Sequence, residues 1–417
     1  MNYPESVDYL YALGNEIRTA KLGLERMVLL SEAMKHPERK FRVVHVAGTN
    51  GKGSTSAMIA AGLQAAGNRV GLFTSPHLVE PTERIVIDGR AVTAPEFSEA
   101  FDAVRRVADR MMEAGTLDAH PTYFETVTLM AFWWFAKQEV DWAVIEVGLG
   151  GRLDATNIVT PQLCVITPVD YDHEAWLGKS LDAIAFEKAG ILKAGVPAVM
   201  APQRPVARDV IVKRAESVFA PVLDSAAWPV AELEIGAHGS RFVIAGLRID
   251  CPLAGEHQVD NARTAAAALN ALNVTPEQIR AGIAAARWPG RLEMVSESPE
   301  IWLDGAHNPS GARALAAYIA RFHAGRRVGL IFGAMRDKSV EEIAGVLFPL
   351  ADELILTAPN QTRALRAEAI LGMEPHGNVR IAADVRAALA MERRCDVLFL
   401  AGSLYLVGEA RAILVQW

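Results

Sequence analysis

The run Gly48-Thr49-Asn50-Gly51-Lys52-Gly53-Ser54 sets glycines, a lysine and hydroxyl side chains between an apolar stretch and a helix-forming one. Backbone N–H groups freed by a glycine turn, the positive end of a helix dipole and the Lys52 ammonium would converge on one point, which suits phosphate oxygens. Ser54 would add a hydroxyl for magnesium, so the implied ligands are ATP and Mg2+, held by Gly51, Lys52, Gly53 and Ser54. A plain glycine-rich turn after a strand would not need lysine and hydroxyl in this order. The spacing is irregular: Val46 stands where the standard phosphate loop begins with glycine, and Gly53 separates Lys52 from Ser54. Magnesium needs hard oxygen ligands, few of them from protein. Glu146 ends the apolar run Ala143 to Glu146 and would stand at the carboxyl edge of a sheet, where ligands bind in such folds. His173, in Asp170-Tyr171-Asp172-His173, follows another apolar run and could reach the same edge. Gly148-Leu149-Gly150-Gly151 lacks the spacing of a dinucleotide fingerprint, and that reading is set aside.

These residues need a sheet to hold them. Val43 to Ala47, Val70 to Thr74, Ala143 to Val147, Leu163 to Thr167 and Val196 to Met200 read as buried strands separated by helix-length segments, the pattern of a parallel α/β sheet. Between Pro221 and Leu253, short alternating stretches with glycine at the turns predict antiparallel structure appended to that sheet. A helix is expected from Val259 to Leu272, then a break at Trp288-Pro289-Gly290-Arg291. A second α/β series follows, with strands near Ile301, Val328 to Phe332, Glu353 to Leu356, Val379 to Ile381 and Val397 to Leu400. The expected fold is α/β: an N-terminal P-loop ATPase domain over 1–288, with a parallel sheet and a small antiparallel part, and a smaller Rossmann-like α/β domain over 289–417.

Composition narrows the function. With 417 residues, 51% of them hydrophobic, the chain can bury cores for two domains. A net charge of -7 argues against a general nucleic-acid binder, so a polyanionic ligand must meet a local basic pocket. Cys164, Cys251 and Cys395 are widely spaced and read as reduced thiols, which suits the cytoplasm. Without an apolar leader or a membrane-length apolar run, the chain reads as soluble and unprocessed.

Taken in order, the motifs resemble those of folylpolyglutamate and dihydrofolate synthases, a branch of the Mur ligase superfamily. The series runs over nearly the whole chain: Leu22 to Arg26, Gly48 to Ser54, Thr74 to Leu78, Glu83 to Ile85, Thr122 to Glu125, Glu146 to Asn157, Glu187 to Ile191, His257-Gln258 with Asn261, Pro289 to Arg291 and Asp304 to Pro309. The resemblance implies a ligase in folate biosynthesis and one-carbon metabolism, in which a carboxylate attacks the γ-phosphate of ATP and L-glutamate then attacks the acyl phosphate. It implies catalytic roles for Lys52, Lys188 and His173, with Lys188 carbamylated (N6-carboxylysine). Magnesium would be held by Ser54 and Glu146, with Ser75 and His173 in a second metal site. Asn261, Arg291, Asp304 and His307 would join the loop in binding ATP. The acceptor substrate, folate or dihydropteroate, would meet Leu22, Gly23, Leu24, Thr122, Tyr123, Phe124, Glu125, Leu153, Asp154 and Ala155. On residue type alone, Leu22 to Leu24 read as plain helix core and Asp154 as a cap for the next element. Gly333 to Lys338 resembles the family's Asp-Lys-Asp run but carries Ser339 in its last place. A monomer is expected. A cell-wall Mur ligase and a nucleotide switch remain as alternatives, the first disfavoured by the Thr74 to Leu78 and Thr122 to Glu125 segments.

Overall fold

The computed structural model describes residues 1–13 and 23–415. The large sheet holds eight strands: β1 (Arg42–Ala47), β2 (Val70–Phe73), β3 (Ile85–Ile87), β4 (Arg90–Ala91), β5 (Trp142–Glu146), β6 (Leu163–Ile166), β7 (Ala198–Met200) and β8 (Val222–Asp224). Their order is β4-β3-β2-β5-β1-β6-β7-β8. The six strands from β2 to β8 in that order pair in parallel, and β3 and β4 add an antiparallel edge.

Helices cover both faces, so β1, β5, β6 and β7 read as almost continuous apolar runs rather than alternating ones. Side chains still alternate by face. Val44 and Val46 pack with Met58, Ile59 and Ala265 on one side, while Val43 packs with Phe101, Val127 and Phe135 on the other.

A separate three-stranded antiparallel sheet follows, β9 (Val230–Gly236), β10 (Gly239–Ile244) and β11 (Leu247–Cys251), in the order β11-β10-β9. Its inward residues Phe242, Ile244 and Ile249 seal the core that holds Met58 and Ala265. The antiparallel structure expected between Pro221 and Leu253 is thus present from Val230 on, as a sheet of its own and not an extension of the first. Val222–Asp224 is the last parallel strand of the large sheet, and three residues are too few to show a period.

The third sheet is β12 (Glu293–Glu297), β13 (Glu300–Leu303), β14 (Val328–Phe332), β15 (Glu353–Leu356), β16 (Val379–Ile381) and β17 (Val397–Ala401), in the order β12-β13-β17-β14-β15-β16. All neighbours are parallel except the β12–β13 hairpin. Strand β12 was not anticipated: it is a half-buried edge whose first and last residues are glutamates. Residues 286–292 join this sheet to the preceding helix, Pro276–Ala285.

That helix crosses the helix Lys52–Ala65 at glycines. A Cβ on Gly282 would stand 2.3 Å from Gly62 Cα and 2.5 Å from Gly62 N, both backbone atoms that cannot swing aside. Replacing Gly282 by Ala would gain at most about 1 kcal/mol of helix propensity, whereas forcing the helices apart costs about 1–3 kcal/mol. Gly282→Val, which adds more bulk and less propensity, is expected to lower stability by about 2–3 kcal/mol in urea denaturation. An unchanged midpoint would show that this crossing has slack.

Candidate active site

Strand β1 ends at Ala47 and the chain turns through Gly48 to Gly51 into the helix Lys52–Ala65. Gly51, with φ of 79°, is the helix N-cap, a left-handed position that suits glycine, and a Cβ there would stand 2.2 Å from Asn261 Oδ1. A Cβ on Gly53 would stand 2.3 Å from the Trp288 ring. The extra glycine before Ser54 therefore has a local cause: it lets the segment joining the two large sheets lie against the loop. Lys52 Nζ donates to Thr49 O at 3.2 Å. Gln258 Nε2 donates to Ser54 Oγ at 3.3 Å and is itself held by Asn261, whose Nδ2 reaches Gln258 Oε1 at 2.9 Å.

The neighbouring strand brings an acid to the same edge. β5 pairs with β1 so that Glu146 stands opposite Val46, just before the loop. Its buried carboxylate accepts from the Ser75 N–H at 3.4 Å, and no ion pair to it occurs among the described residues. Burial pushes the Glu146 carboxyl up to about 7, against the lowering effect of Lys52, the Ser75 N–H, Arg291 and Arg84. Lys188, near the end of the helix Leu181–Ala189, is also buried and donates to Gly48 O at 2.8 Å. Burial, then the charge of Lys52, brings its ammonium down to about 7.

The carboxyl ends of the large sheet and the third sheet face each other across a cavity of about 350 Å³. From the third sheet, Asp304 follows β13 and spends both oxygens on backbone: Oδ2 accepts from Leu292 N–H and Oδ1 from Ala306 N–H, each at 2.9 Å. Arg291 lies over Gly305, where a Cβ would stand 2.2 Å from its Nη1, and donates to Gly290 O at 3.0 Å.

Polar contacts then cross the cavity. Lys338 Nζ lies 2.6 Å from Asp172 Oδ1 and 3.3 Å from His173 Nε2. Asn308 Nδ2 donates to Asn50 Oδ1 at 2.9 Å and to Asp172 Oδ2 at 3.3 Å, and His307 Nε2 lies 3.7 Å from the same oxygen. Burial alone would raise the Asp172 carboxyl, but His307 and Lys338 hold it well below the usual carboxylate range. Burial and the Lys338 charge take His173 down to about 3.

On the remaining wall Thr122 caps the helix Tyr123–Lys137 in a reciprocal box with Glu125, which also pairs with Arg26 at 3.2 Å. Phe124 fills the space over Gly148, where a Cβ would stand 2.4 Å from the ring. Gly23, Leu153, Asp154 and Ala155 complete it.

This geometry has known counterparts. Residues 46–269 match the Mur ligase middle domain and residues 290–404 the Mur ligase glutamate ligase domain. The dihydrofolate synthase/folylpolyglutamate synthase of Bacillus subtilis (strain 168) is 35% identical over 411 residues, 94% of either chain. The folylpolyglutamate synthase of Lacticaseibacillus casei is 35% identical over 435 residues, covering 100% of this chain and 99% of its own. The chain belongs to this branch of the Mur ligases. Among solved structures, Mycobacterium tuberculosis folylpolyglutamate synthase complexed with ADP and AMPPCP superposes with a TM-score of 0.92 at 32% identity, over 100% of both chains. E. coli FolC in complex with DHPP and ADP superposes with a TM-score of 0.87 at 32% identity, over 99% of this chain and 97% of that one.

Of the residues singled out from sequence, Gly51, Lys52, Gly53, Ser54, Ser75, Glu146, His173, Lys188, Asn261, Arg291, Asp304 and His307 all line the one cavity, as do Gly23, Thr122, Phe124, Glu125, Leu153, Asp154 and Ala155. Tyr123 does not. It is packed in the core, stacked on Tyr11 at 5.7 Å with the Arg84 guanidinium over its ring, because the helix turns residue 123 away from 122 and 124. Leu24 is the N-cap of the helix Glu25–Ala33 and is absent from the cavity lining, and Leu22 lies outside the described residues. Asp154 is a cap as well as a lining residue, holding Thr156 N–H at 3.0 Å. Sequence reasoning missed Asp172, Lys338 and the Asn308–Asn50 contact. Their segments were noted, but 166 residues separate Lys338 from Asp172 and no local pattern pairs them.

The Glu146 shift has a measurable sign. Its folded-state proton affinity exceeds the ordinary carboxylate value of 4.5, so between that value and about 7 the native state holds the extra proton and stability falls as pH rises. In metal-free buffer, Glu146→Gln is expected to exceed the parent in stability by up to about 3 kcal/mol at pH 8, with the gain fading below pH 5. Urea melts at the two pH values check this, and a variant weaker than its parent at pH 8 contradicts it.

Proposed function

We propose that this chain is an ATP-dependent acid–amino-acid ligase that joins L-glutamate to dihydropteroate, to the γ-carboxylate of a folate polyglutamate tail, or to both, through an acyl phosphate. The observation that carries the reading is the single cavity between two sheet edges, with a phosphate loop on one side and Arg291, Asp304 and His307 on the other. A nucleotide held from both sides excludes water best when the sides close. The segment around Pro289 is our hinge, with units 1–288 and 289–417.

Charge is the chemical problem, because a carboxylate must approach a polyphosphate. Lys52 and the N–H groups of Gly51, Gly53 and Ser54 offset the charge on the transferred phosphoryl group. Asn261, Arg291, Asp304 and His307 orient the nucleotide. The residues suit magnesium: Ser54 Oγ and the buried Glu146 carboxylate, which has no ion pair among the described residues, are hard oxygen donors on one wall. Mg2+, when bound, supplies Lewis-acid charge neutralisation at phosphate oxygens. Ser75 and His173 would hold a second ion.

Lys188 is the site we assign to carbamylation. A buried amine titrating near 7 is partly unprotonated at neutral pH, and the free amine adds to carbon dioxide with loss of one proton. The carbamate keeps an N–H for the Gly48 carbonyl and turns a crowding cation into an anion beside Lys52. Gly23, Thr122, Phe124, Glu125, Leu153, Asp154 and Ala155 are our acceptor-substrate wall. Free cysteines and net charge support a cytoplasmic enzyme acting on small molecules rather than nucleic acid, and we take it to be a monomer.

Phosphate release should require ATP, acceptor and L-glutamate together; steady hydrolysis of ATP without acceptor or glutamate would favour a nucleotide switch. Lys52→Met is expected to lower kcat by about 100- to 1000-fold, the usual loss for one oxyanion-stabilising donor. Lys188→Ala should lose comparable activity and regain part of it with added short-chain carboxylates. Isotope-labelled bicarbonate should give a carbamate NMR signal in the parent alone, and the same signal in both proteins would remove Lys188 from this role.

A further inference from the structure

Behind the cavity wall, three side chains run in series into the large sheet. Asp154 lines the cavity; its Oδ2 accepts from Leu149 N–H at 2.8 Å, and its Oδ1 accepts from both the N–H and the hydroxyl of Thr156. Thr156 Oγ1 lies 2.9 Å from His45 Nε2. His45 sits in β1, fully buried, on the same face as Val43.

Proton counting gives the chain a direction. Burial raises the Asp154 carboxyl, and the hydrogen bonds from Thr156 and Leu149 act against that; ionised, it can only accept, so Thr156 spends its one hydroxyl proton there. Its oxygen must then receive a proton donor from His45, which assigns the Nε2–H tautomer. Nδ1 is left with a bare lone pair, and it has no hydrogen-bond partner among the described residues. Protonating it would bury a second N–H without an acceptor, and burial with the nearby Lys193 charge drives the imidazole down to about 3. His45 is therefore a neutral, one-way donor at every working pH.

We propose that His45 is a positioning residue for the acceptor substrate: through Thr156 it holds Asp154 as an ionised, acceptor-only carboxylate whose cavity side receives a ring N–H of the pteridine. The proposal rests on the reading that Asp154 contacts that ring. A buried histidine that merely filled space would affect folding, not one substrate's affinity.

The test is steady-state kinetics on the full chain, varying dihydropteroate, ATP and L-glutamate in turn. His45→Leu is expected to raise the KM for dihydropteroate about tenfold, the scale of one lost hydrogen bond in a charged chain, with the KM for ATP and kcat within about threefold of the parent. His45→Gln, which keeps an N–H donor, should return the dihydropteroate KM to within about threefold. Thr156→Val should match His45→Leu, and combining the two should add nothing. If His45→Leu does not fold, Thr156→Ser, which keeps the hydroxyl, is compared with Thr156→Val. Equal KM values for that pair, additive effects, or a parallel rise in the KM for ATP overturn the proposal. Asp154→Asn separates the two layers. If it raises the dihydropteroate KM while His45→Leu and Thr156→Val do not, the relay fails and the Asp154 reading stands; if it leaves that KM unchanged, the Asp154 reading itself fails.

Discussion

One constraint shapes the phosphate-loop side of the cavity: the buried Glu146 and Lys188 stand beside Lys52, and no ion pair joins these three among the described residues. Glu146 and Lys52 share a wall, and among the described residues the Lys188 ammonium donates only to the Gly48 carbonyl. Burial penalises each charged form, which is why the carboxyl of Glu146 rises and the ammonium of Lys188 falls to nearly the same value. A site that paired these groups internally would be more stable and would hold a polyanion less well, because each ligand contact would first have to break a protein one. The unpaired state leaves these groups available to a ligand.

The two sheets supply what that constraint needs. Parallel strands send all their carboxyl ends to one edge, so β1, β5 and β6 deliver the loop, Glu146 and the Asp170 to His173 segment side by side. The third sheet does the same with β13, β14 and β17, and the two edges meet face to face. Asp172 is one point where they touch, beside the Asn308–Asn50 bond. Its pair with Lys338 is largely buried on both sides, each side chain about 8% exposed, so it is a specific junction and not a surface ion pair.

How much of this was legible follows from the range of each signal. Buried strands declared themselves by composition, and all five strands read for the third sheet are present, three of them, at Val328, Glu353 and the half-exposed Val379, within the same residues. The phosphate loop was legible because its chemistry is local: strand, glycines, lysine and hydroxyl lie within a dozen residues. Residue-by-residue carry-over failed where neighbours in a motif point in different directions. Thr122, Phe124 and Glu125 face the cavity, yet Tyr123, one step along the same helical turn, is core. The Asp172–Lys338 junction was illegible for the opposite reason, since neither residue is unusual in its own segment and the pairing exists only after both sheets have folded.

Gly53 shows how a departure from a pattern becomes informative once its neighbour is known. Read as a phosphate loop alone, an inserted glycine lengthens the path from Lys52 to the hydroxyl of Ser54 and looks like a defect. In the fold, any side chain at residue 53 would overlap Trp288, which belongs to the segment joining the two large sheets. The same loop is thus pressed from one side by Trp288, from another by Asn261, and is hydrogen-bonded at Asn50 by Asn308, which caps the helix after β13. The loop's conformation and the placement of the two sheets therefore depend on each other, and a ligand that reshapes the loop must act on the segment that sets the distance between the two sheet edges.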